Sequence, residues 1–451
     1  MDGIGGILPG GCRFPRVFSM NGNKYYARKF LKEGPFVAIA KAPTPRKSGL
    51  VEPGPGYASG FGDLSRHLNV NTVTAGLIAT VFGCTGPALI VMNAAANGKL
   101  TQAQTISWLF SIYFFGGLLG VLLAGYYKQP INGAYSIPGA VMLASAIPLF
   151  PFNQVVGAYF IAGVLVLLLG ISGLIGKVMR WLPGPIVMAM IAGAMIRFGT
   201  GIITSVQKAP LIAGIGLLVY LLMSRLTKKV SPVLGALVAG VIAALFFGGF
   251  KFSAVNVQWI APQVFWPEFS LGSFLSIGIP LAALVVGAEN AQAIGVLMAE
   301  GYKPPINMMT IVSGIGGIVT SFFGGHNANI AGPMTAICAS SEAGEDKNGR
   351  YAASIVNGVT FGAFGLVASV AVPFVKALPA DLVSLLAGLA MIGVLVSSFE
   401  MAFASKKFKV GAFFALVIAM SGITVLKISA PFWALVGGVV VSLLVEPKDF
   451  E

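Results

Sequence analysis

Long apolar stretches separated by short polar connections make up most of this chain, from residue 71 to its end. Most are about 17 to 25 residues long, the length that an α-helix needs to cross about 30 Å of hydrocarbon. The pattern therefore predicts a polytopic, all-α membrane protein with about fourteen spans, of which two are interrupted. The predicted spans cover residues 71–95, 104–126, 131–149, 153–175, 183–203, 208–226, 231–250, 271–298, 305–323, 326–341, 350–373, 378–399, 409–425 and 430–446.

The composition agrees with a chain that is surrounded by lipid. Hydrophobic residues make up 56% of the sequence and charged residues only 10%, with a mean hydropathy of +0.86. A soluble protein carries about 25% charged residues. A chain this poor in charge cannot fold in water around a single core, so we expect the lipid bilayer to be its surroundings.

The distribution of Lys and Arg between alternate loops predicts the orientation in the membrane. With fourteen spans both termini lie on one side, and the loops on that side carry thirteen Lys or Arg residues, against six on the other. Because loops rich in Lys and Arg stay in the cytoplasm, we expect a multi-pass protein of the inner (plasma) membrane with both termini cytoplasmic. This bias and a basic N-terminal tail account for the net charge of +14, so nucleic acid is not an expected partner.

The first 66 residues differ from the rest of the chain. They contain ten Lys or Arg residues, with scattered Pro and Gly, and no apolar core follows the early charges as it would in a secretory signal. We expect residues 1–66 to form a basic, disordered cytoplasmic tail that touches anionic lipid, and residues 67–446 to form the membrane domain. An artefactual upstream start of the sequence is the alternative.

Cysteine and histidine are too few and too scattered for metal chemistry. The cysteines are Cys12, Cys84 and Cys338, the histidines are His67 and His326, and none has the spacing of metal ligands. We therefore expect no metal and no cofactor. An enzyme would need a nucleophile, a base and a third partner close together, and Cys338 and His326 lack that partner, so we expect the protein not to be an enzyme.

Two of the predicted spans, at residues 130–145 and 325–338, begin with a polar extended piece and continue as a short apolar helix. Aligning Gly139 with Gly332 brings the two patterns into register. Unwound backbone is tolerated at membrane depth only where it lines a cavity or is buried by protein. Two such segments in corresponding halves are typical of transporters built from repeats, with the substrate between them. The alternative is two ordinary spans with Gly and Pro kinks.

The start of each short helix offers a site for a negatively charged group. Free amides near Pro138 and Gly139 in the first segment, and near Gly332 in the second, carry partial positive charge. These residues are therefore predicted to bind an anion, in particular a carboxylate. Arg197, inside the span at residues 183–203, faces the same cavity as a partner for the anion, extends to the outer surface or pairs with another group.

Glu289 is the single acidic residue within the span at residues 271–298. A carboxylate at that depth costs about 3 kcal/mol, so it usually marks a path for an ion, a proton or a substrate. When protonated it could donate a hydrogen bond to a substrate carboxylate, and when ionised it would repel one. Glu289 is therefore the predicted proton-coupling residue, with His326 as a weaker candidate. The alternatives are a carboxyl permanently bonded to neighbouring backbone and a neutral imidazole that caps the broken segment.

Three stretches in the second half resemble one known family, the BenE family of benzoate:proton symporters. They are residues 289–305 (ENAQAIGVLMAEGYKPP), residues 323–338 (FGGHNANIAGPMTAIC) and the acidic loop at residues 342–350. The similarity extends over most of residues 70–446 and leaves the N-terminal tail uncovered. That family is similar in turn to the nucleobase transporters, whose fold has fourteen spans in a seven-plus-seven inverted repeat.

The resemblance implies a core domain that moves against a gate domain. Spans 1 to 4 and 8 to 11 would form the core, roughly at residues 71–175 and 271–373, and spans 5 to 7 and 12 to 14 would form the gate, roughly at residues 183–250 and 378–446. The substrate would lie between them, and a homodimer is left open. Carried over by motif, the substrate-binding positions are Tyr135, Ser136 and Ile137 in span 3, Asn290 beside Glu289 in span 8, and Asn327, Asn329 and Ile330 in span 10.

The function that the resemblance implies is proton-coupled uptake of benzoate or a related aromatic carboxylate. Glu289 departs from the pattern expected of benzoate carriers, in which an uncharged polar residue would precede Asn290, and looks more like the nucleobase carriers. A proton-coupled carrier of a nucleobase or another small anion, with the same fold, is therefore the alternative. A channel or a membrane enzyme is the third class, and a continuous current without saturation would favour the channel.

Overall fold

The computed structural model describes residues 51–174, 183–226, 232–247, 249–250, 259–425 and 428–450. Most of this part of the chain is helical. Residues 1–50, which make up most of the predicted basic tail, lie outside the described residues.

Helices and short strands are numbered here in chain order. The helices other than α11 are α1 Tyr57–Gly62, α2 Leu64–His67, α3 Val70–Cys84, α4 Gly86–Asn97, α5 Gln102–Tyr127, α6 Ile137–Ala146, α7 Phe152–Ser172, α8 Gly184–Lys208, α9 Pro210–Leu226, α10 Pro232–Phe246, α12 Ile306–Ser321, α13 Gly332–Ala339, α14 Tyr351–Leu366, α15 Ala368–Ala377, α16 Ala380–Phe403, α17 Lys409–Ser421 and α18 Ala430–Val445. Helix α11 is a composite of the consecutive pieces Leu271–Ser273, Phe274–Gly278 (π-helical), Ile279–Leu284, Val285–Asn290 (π-helical) and Ala291–Ala299. The strands are β1 Gly133–Ala134, β2 Asn329–Ile330, β3 Thr424–Val425 and β4 Ile428–Ser429.

Within the described residues, six helices are long and apolar enough to cross a membrane, judged by length and composition. They are Val70–Asn97, which joins α3 and α4, and helices α5, α7, α8, α11 and α16. Seven shorter apolar helices lie within further predicted spans. The count of fourteen spans and their arrangement in two inverted repeats stay predictions.

Large apolar side chains are exposed on the outward faces of several helices. Leu218 and Leu222 on α9, Ile242 on α10, Phe413 on α17 and Leu444 on α18 are between 48% and 77% exposed. Extensive apolar surface of this kind marks contact with a membrane or another protein. It fits a helical bundle that is surrounded by lipid.

Glycines let the helices behind the two interrupted segments pack closely. Where α5 crosses α14, a Cβ on Gly358 would lie 2.6 Å from the Gly117 carbonyl oxygen. Where α7 crosses α12, a Cβ on Gly163 would lie 2.6 Å from the Ile318 amide nitrogen. Such close backbones are typical of membrane helices, which gain little hydrophobic driving force from each other in lipid. Helices α5 and α12 in turn contact β1 and β2, so this framework holds the strands in place.

The end of the predicted tail, residues 51–66, contains α1 and α2, and α1 packs against α5. The Glu52 carboxylate accepts hydrogen bonds from the amides of Asn307 and Met308 at the start of α12, at 2.8 and 3.1 Å. An acid at this position satisfies amides that have no partner inside the helix. Residues 51–66 are therefore attached to the helical domain.

Candidate functional site

The two interrupted segments meet head-on through a short antiparallel sheet. Gly133 pairs with Ile330 and Ala134 pairs with Asn329, and all four residues are buried. Helix α6 follows β1 and α13 follows β2, so each segment has the predicted order of an extended piece and a short helix. The polar groups of this extended backbone are satisfied because the two strands pair with each other and are covered by protein.

Both short helices begin with proline in the second helical position, Pro138 in α6 and Pro333 in α13. Ser136 is the N-cap of α6, and its hydroxyl accepts a hydrogen bond from the Gly139 amide at 3.0 Å, whereas α13 begins at Gly332 without a side-chain cap. The sequence alignment paired Gly139 with Gly332, and this register is wrong by two residues. Proline marks the equivalent positions better, because it is favoured in the first turn of a helix, whereas glycine occurs throughout these helices.

Glu289 lies where the two short helices face each other. It is 4% exposed and belongs to the π-helical turn Val285–Asn290, a local geometry that is frequent at functional sites. Its Oε1 accepts a hydrogen bond from the Ile137 amide at 3.2 Å, and its carboxyl group also interacts with the Gly332 amide. The acid thus contacts the first amide of both helices, at the positive ends of their dipoles. The Glu289 carboxyl occupies the position where the sequence predicts a bound anion.

A cavity of about 260 Å³ lies beside Glu289, here called the Glu289 cavity. Its lining comes from helices α3, α6, α8, α11, α13 and α16. Its polar groups are Glu289, Gln292 and the serine pair at residues 397–398. The remaining lining is apolar and includes Phe82, Ile137, Met188, Ile191, Pro333 and Met401.

Three of the predicted site residues, Ile137, Pro138 and Glu289, line the Glu289 cavity. Tyr135 lies next to it in a small pocket shared with Ile137 and Glu289, and its hydroxyl is 2.9 Å from the Tyr113 hydroxyl. The other predicted residues are buried around the two segments and do not line the cavity. These residues are Ser136, Gly139, Asn290, His326, Asn327, Asn329, Ile330 and Gly332.

Two of the predicted asparagines connect the segments to each other and to α12. Asn327 Oδ1 accepts a hydrogen bond from the Ser136 amide at 3.2 Å, which ties the second segment to the first. Asn290 Oδ1 accepts one from the Ser313 hydroxyl at 3.1 Å, and Ser313 Oγ accepts one from the Ile330 amide at 3.3 Å. These side chains therefore position the broken backbone.

His326 is fully buried beside the first segment. Its Nδ1 accepts a hydrogen bond from the Trp108 indole at 2.9 Å, because the indole N–H can only donate, and its Nε2 donates to the Ser136 carbonyl oxygen at 2.9 Å. Both nitrogens of a neutral imidazole are thus engaged in holding the start of α6. The Asn329 side chain, also buried, has no hydrogen-bond partner among the described residues. Within the same ranges no three His, Cys, Asp or Glu side chains converge as a metal site requires.

Several residues of the cavity lining escaped the sequence analysis. Gln292 follows Glu289 by three residues, and this helical spacing would have placed it on the same face of α11. The serine pair at residues 397–398 is a polar interruption of the apolar helix α16. Met188 and Ile191 carry no signal, because apolar side chains occur throughout the chain.

Solved structures of two transporters share this fold. The transmembrane domain of the cyanobacterial bicarbonate transporter BicA has a TM-score of 0.57 at 15% identity, covering 83% of this chain and 96% of that chain. The overall structure of SLC26A9 has a TM-score of 0.56 at 15% identity, covering 96% of this chain and 73% of that chain. At such low identity the likeness concerns the fold alone.

Sequence comparison identifies the family. The chain is 30% identical over 370 residues to the inner membrane protein YdcO of Escherichia coli, covering 81% of this chain and 94% of that protein. It is 28% identical over 386 residues to a benzoate membrane transport protein of Acinetobacter baylyi, covering 85% of this chain and 98% of that protein. The model of the family BenE, benzoate membrane transport protein, matches residues 66–444 and confirms the resemblance seen in the motifs. This chain is therefore a member of the BenE family, an integral membrane transporter and not an enzyme.

Proposed function

We propose that this protein is a secondary active transporter that couples the uptake of benzoate, or of a related aromatic carboxylate, to a proton across the inner membrane. The observation that carries the proposal is the contact of one titratable acid, Glu289, with the first amides of two helices that meet beside a cavity. The relative from Acinetobacter baylyi, described as a benzoate membrane transport protein, supports this choice of substrate.

An ionised Glu289 and a substrate carboxylate would compete for the same amides. A substrate anion at the helix ends would accept hydrogen bonds from Ile137 and Gly332, the amides that Glu289 contacts in this structure. Two unit negative charges about 4 Å apart repel each other by about 4 kcal/mol at an effective dielectric constant of about 20. This energy corresponds to a factor of about 1,000 in affinity. The anion therefore binds when Glu289 is protonated, and proton and substrate cross together.

The Glu289 cavity suits one aromatic ring with one charged end. Phe82, Ile191 and Met401 provide apolar surface for the ring, and the helix ends beside Glu289 provide amides for the carboxylate. Sites for drug-sized ligands start at about 300 Å³. The volume of about 260 Å³ therefore favours a small substrate.

The helix packing supports a core domain and a gate domain. Helix α7 packs against α12, and α14 packs against α3 and α5; in the second group α8 packs against α16 and α17, and α9 packs against α10. These groups correspond to the core at residues 71–175 and 271–373 and the gate at residues 183–250 and 378–446. The Glu289 cavity takes its lining from both groups, so movement of one against the other would open the site to alternate sides.

The proposed orientation has both termini in the cytoplasm. The loops assigned to that side carry most of the Lys and Arg residues, which the cytoplasmic side retains. Helix α8 then runs outward from Gly184 to Lys208.

A nucleobase is the second candidate substrate. Gln292 and the serine pair at residues 397–398 add uncharged hydrogen-bonding groups to the cavity, which benzoate does not require and a base could use. The fold and the proton coupling through Glu289 would be the same.

Uptake of labelled benzoate into proteoliposomes under an inward proton gradient tests the substrate. Salicylate, uracil, xanthine and sulfate serve as competitors. We expect saturable uptake that salicylate inhibits and the other three do not. Inhibition by uracil or xanthine, without inhibition by salicylate, would replace benzoate with a nucleobase, and uptake that does not saturate would indicate a channel.

Glu289→Gln tests the coupling, because glutamine can accept the hydrogen bond from the Ile137 amide and cannot titrate. We expect gradient-driven accumulation to fall to the level of protein-free vesicles, while exchange of benzoate across the membrane stays measurable. Glu400→Gln removes the same charge at an exposed position of α16 and should accumulate benzoate like the wild type. Unchanged accumulation by Glu289→Gln would remove this residue from the proton path.

A further inference from the structure

A second and larger cavity, of about 440 Å³, continues along the helices that line the Glu289 cavity. On α6 the lining passes from Pro138 in the first cavity to Val141 in the second, and on α8 it passes from Ile191 to Ala194. Helix α16 also lines both. The two cavities therefore lie one after the other, about one helical turn apart on α6 and α8. The second is called the basic cavity below.

One face of α8 brings two cations into the basic cavity. Arg197, Gly201, Thr204, Ser205 and Lys208 all line it, and their spacing places them on one side of the helix. Within the described ranges, neither cation forms a salt bridge with a carboxylate. Both positive charges are therefore open to a ligand.

The other polar groups of the basic cavity are mostly uncharged. Asp381 is the single carboxylate among its described lining residues, so the two cations leave a net positive charge. Asn93, Asn97 and Ser145 contribute amide and hydroxyl groups. This combination favours a small anion over a cation or a neutral ligand.

The position of Arg197 depends on the shape of the neighbouring backbone. Its guanidinium lies against Gly422, which follows α17 with a φ of +63°, and a Cβ on Gly422 would overlap the guanidinium. Glycine has no Cβ, so it adopts this left-handed conformation without strain and leaves room for the Arg197 guanidinium. The planar fork of N–H donors on a guanidinium matches a carboxylate. Phe198 beside it provides apolar surface for a ring.

We propose that the basic cavity is a second binding site, for small carboxylate anions, in which Arg197 binds the carboxylate and Lys208 adds attraction. The proposal rests on carboxylate transport through the Glu289 cavity and adds a capture step before it. In the proposed orientation the basic cavity lies on the outer side of the Glu289 cavity. Positive charge in a cleft raises the local concentration of anions and their association rate, and salt screens this effect.

Arg197→Gln tests the proposal in right-side-out vesicles, with benzoate added outside. We expect KM to rise about tenfold at low ionic strength, within the range that electrostatic attraction contributes, and kcat to stay within about twofold. Wild-type KM should rise with added salt, whereas the KM of Arg197→Gln should be nearly independent of it. Lys99→Gln is the matched control, because Lys99 is an exposed cation that does not line the basic cavity, and its KM should stay within about twofold of wild type.

Arg197→Lys distinguishes a loss of positive charge from a general structural disturbance at this position. It keeps the positive charge, so its KM should lie between those of the wild type and Arg197→Gln. If Arg197→Gln fails to fold, Lys208→Gln takes its place, with an expected rise in KM of about threefold and the same loss of salt dependence. A KM of Arg197→Lys equal to that of Arg197→Gln, or a wild-type KM in Arg197→Gln, would overturn the capture site alone. A wild-type protein that takes up no carboxylate would overturn the transport proposal itself.

Discussion

Replacement of Gly332 by alanine tests the geometry of the site directly. A Cβ atom at this position would lie 2.5 Å from Gln292 Oε1 and 2.6 Å from Gln292 Cδ and Cγ. Non-bonded heavy atoms settle at about 3.5 to 4.0 Å. The Gln292 side chain or the start of α13 therefore has to move by about 1 Å.

The cost of this displacement can be bounded. Overpacking of a buried site costs about 1 to 3 kcal/mol. At about 2 °C for each kcal/mol, Gly332→Ala should lower the midpoint of thermal unfolding in detergent by about 2 to 6 °C. A shift of α13 also moves the Gly332 amide relative to Glu289, so benzoate accumulation should fall below that of the wild type.

A double-mutant cycle with Gln292→Ala identifies the cause. If the clash with Gln292 is responsible, Gly332→Ala should lower the unfolding midpoint in the wild-type background and leave it nearly unchanged in the Gln292→Ala background. Gly201→Ala is the control, because a Cβ on Gly201 in α8 has no heavy atom within 4 Å and alanine should be neutral or stabilising there. Additive effects of Gly332→Ala and Gln292→Ala, within about 0.5 kcal/mol, would refute the clash.

Two further predictions concern stability. Ser136→Ala removes the hydroxyl that accepts from the Gly139 amide, and should lower stability by about 1 to 2 kcal/mol, measured as a lower midpoint of thermal unfolding. Ser145→Ala, later on the same helix, is the control, because its hydroxyl only donates to a backbone carbonyl, and an equal loss in both variants would contradict the cap. The hydrogen bond from Lys128, at 2.6 Å, and its positive charge hold the pKa of Asp63 below its usual value of 3.8. The ionised Asp63 therefore stabilises the folded protein above its usual pKa, and this stabilisation is lost as the pH falls through the lowered pKa. Wild type and Asp63→Asn should differ slightly in unfolding midpoint at pH 7 and have the same midpoint in acid. A difference that persists in acid would assign the effect to another contact.

Short-range features of the sequence were sufficient for the family and for the pieces of the site. The motif at residues 323–338 identified the BenE family, and the match over residues 66–444 confirms it. The change from a polar extended piece to an apolar run predicted short helices that start near Pro138 and near Gly332, and the structure has them start at Ile137 and Gly332. These inferences succeed because helix starts and apolar runs depend on residues that are close together in the chain.

The partner of Glu289 could not be predicted in the same way. The sequence showed one acid at membrane depth and two free helix ends, and it left open whether an anion or a backbone contact filled the space. In the structure Glu289 contacts the Ile137 amide, which is 152 residues away in the chain, and also the Gly332 amide. Contacts across such separations depend on how whole helices pack, and no local propensity encodes them.

The lining of the cavity shows the same division between local and long-range information. By itself the sequence predicted a membrane protein, two segments in which an extended piece precedes a short helix, and Glu289 as the one acid of the apolar stretch at residues 271–298. Only the tertiary structure decided that Asn327 and His326 hold the start of α6, and that Gln292 and Met188 face the cavity. The physical reason is that hydropathy specifies burial in the membrane, whereas the direction of each buried side chain follows from the close packing of its neighbours.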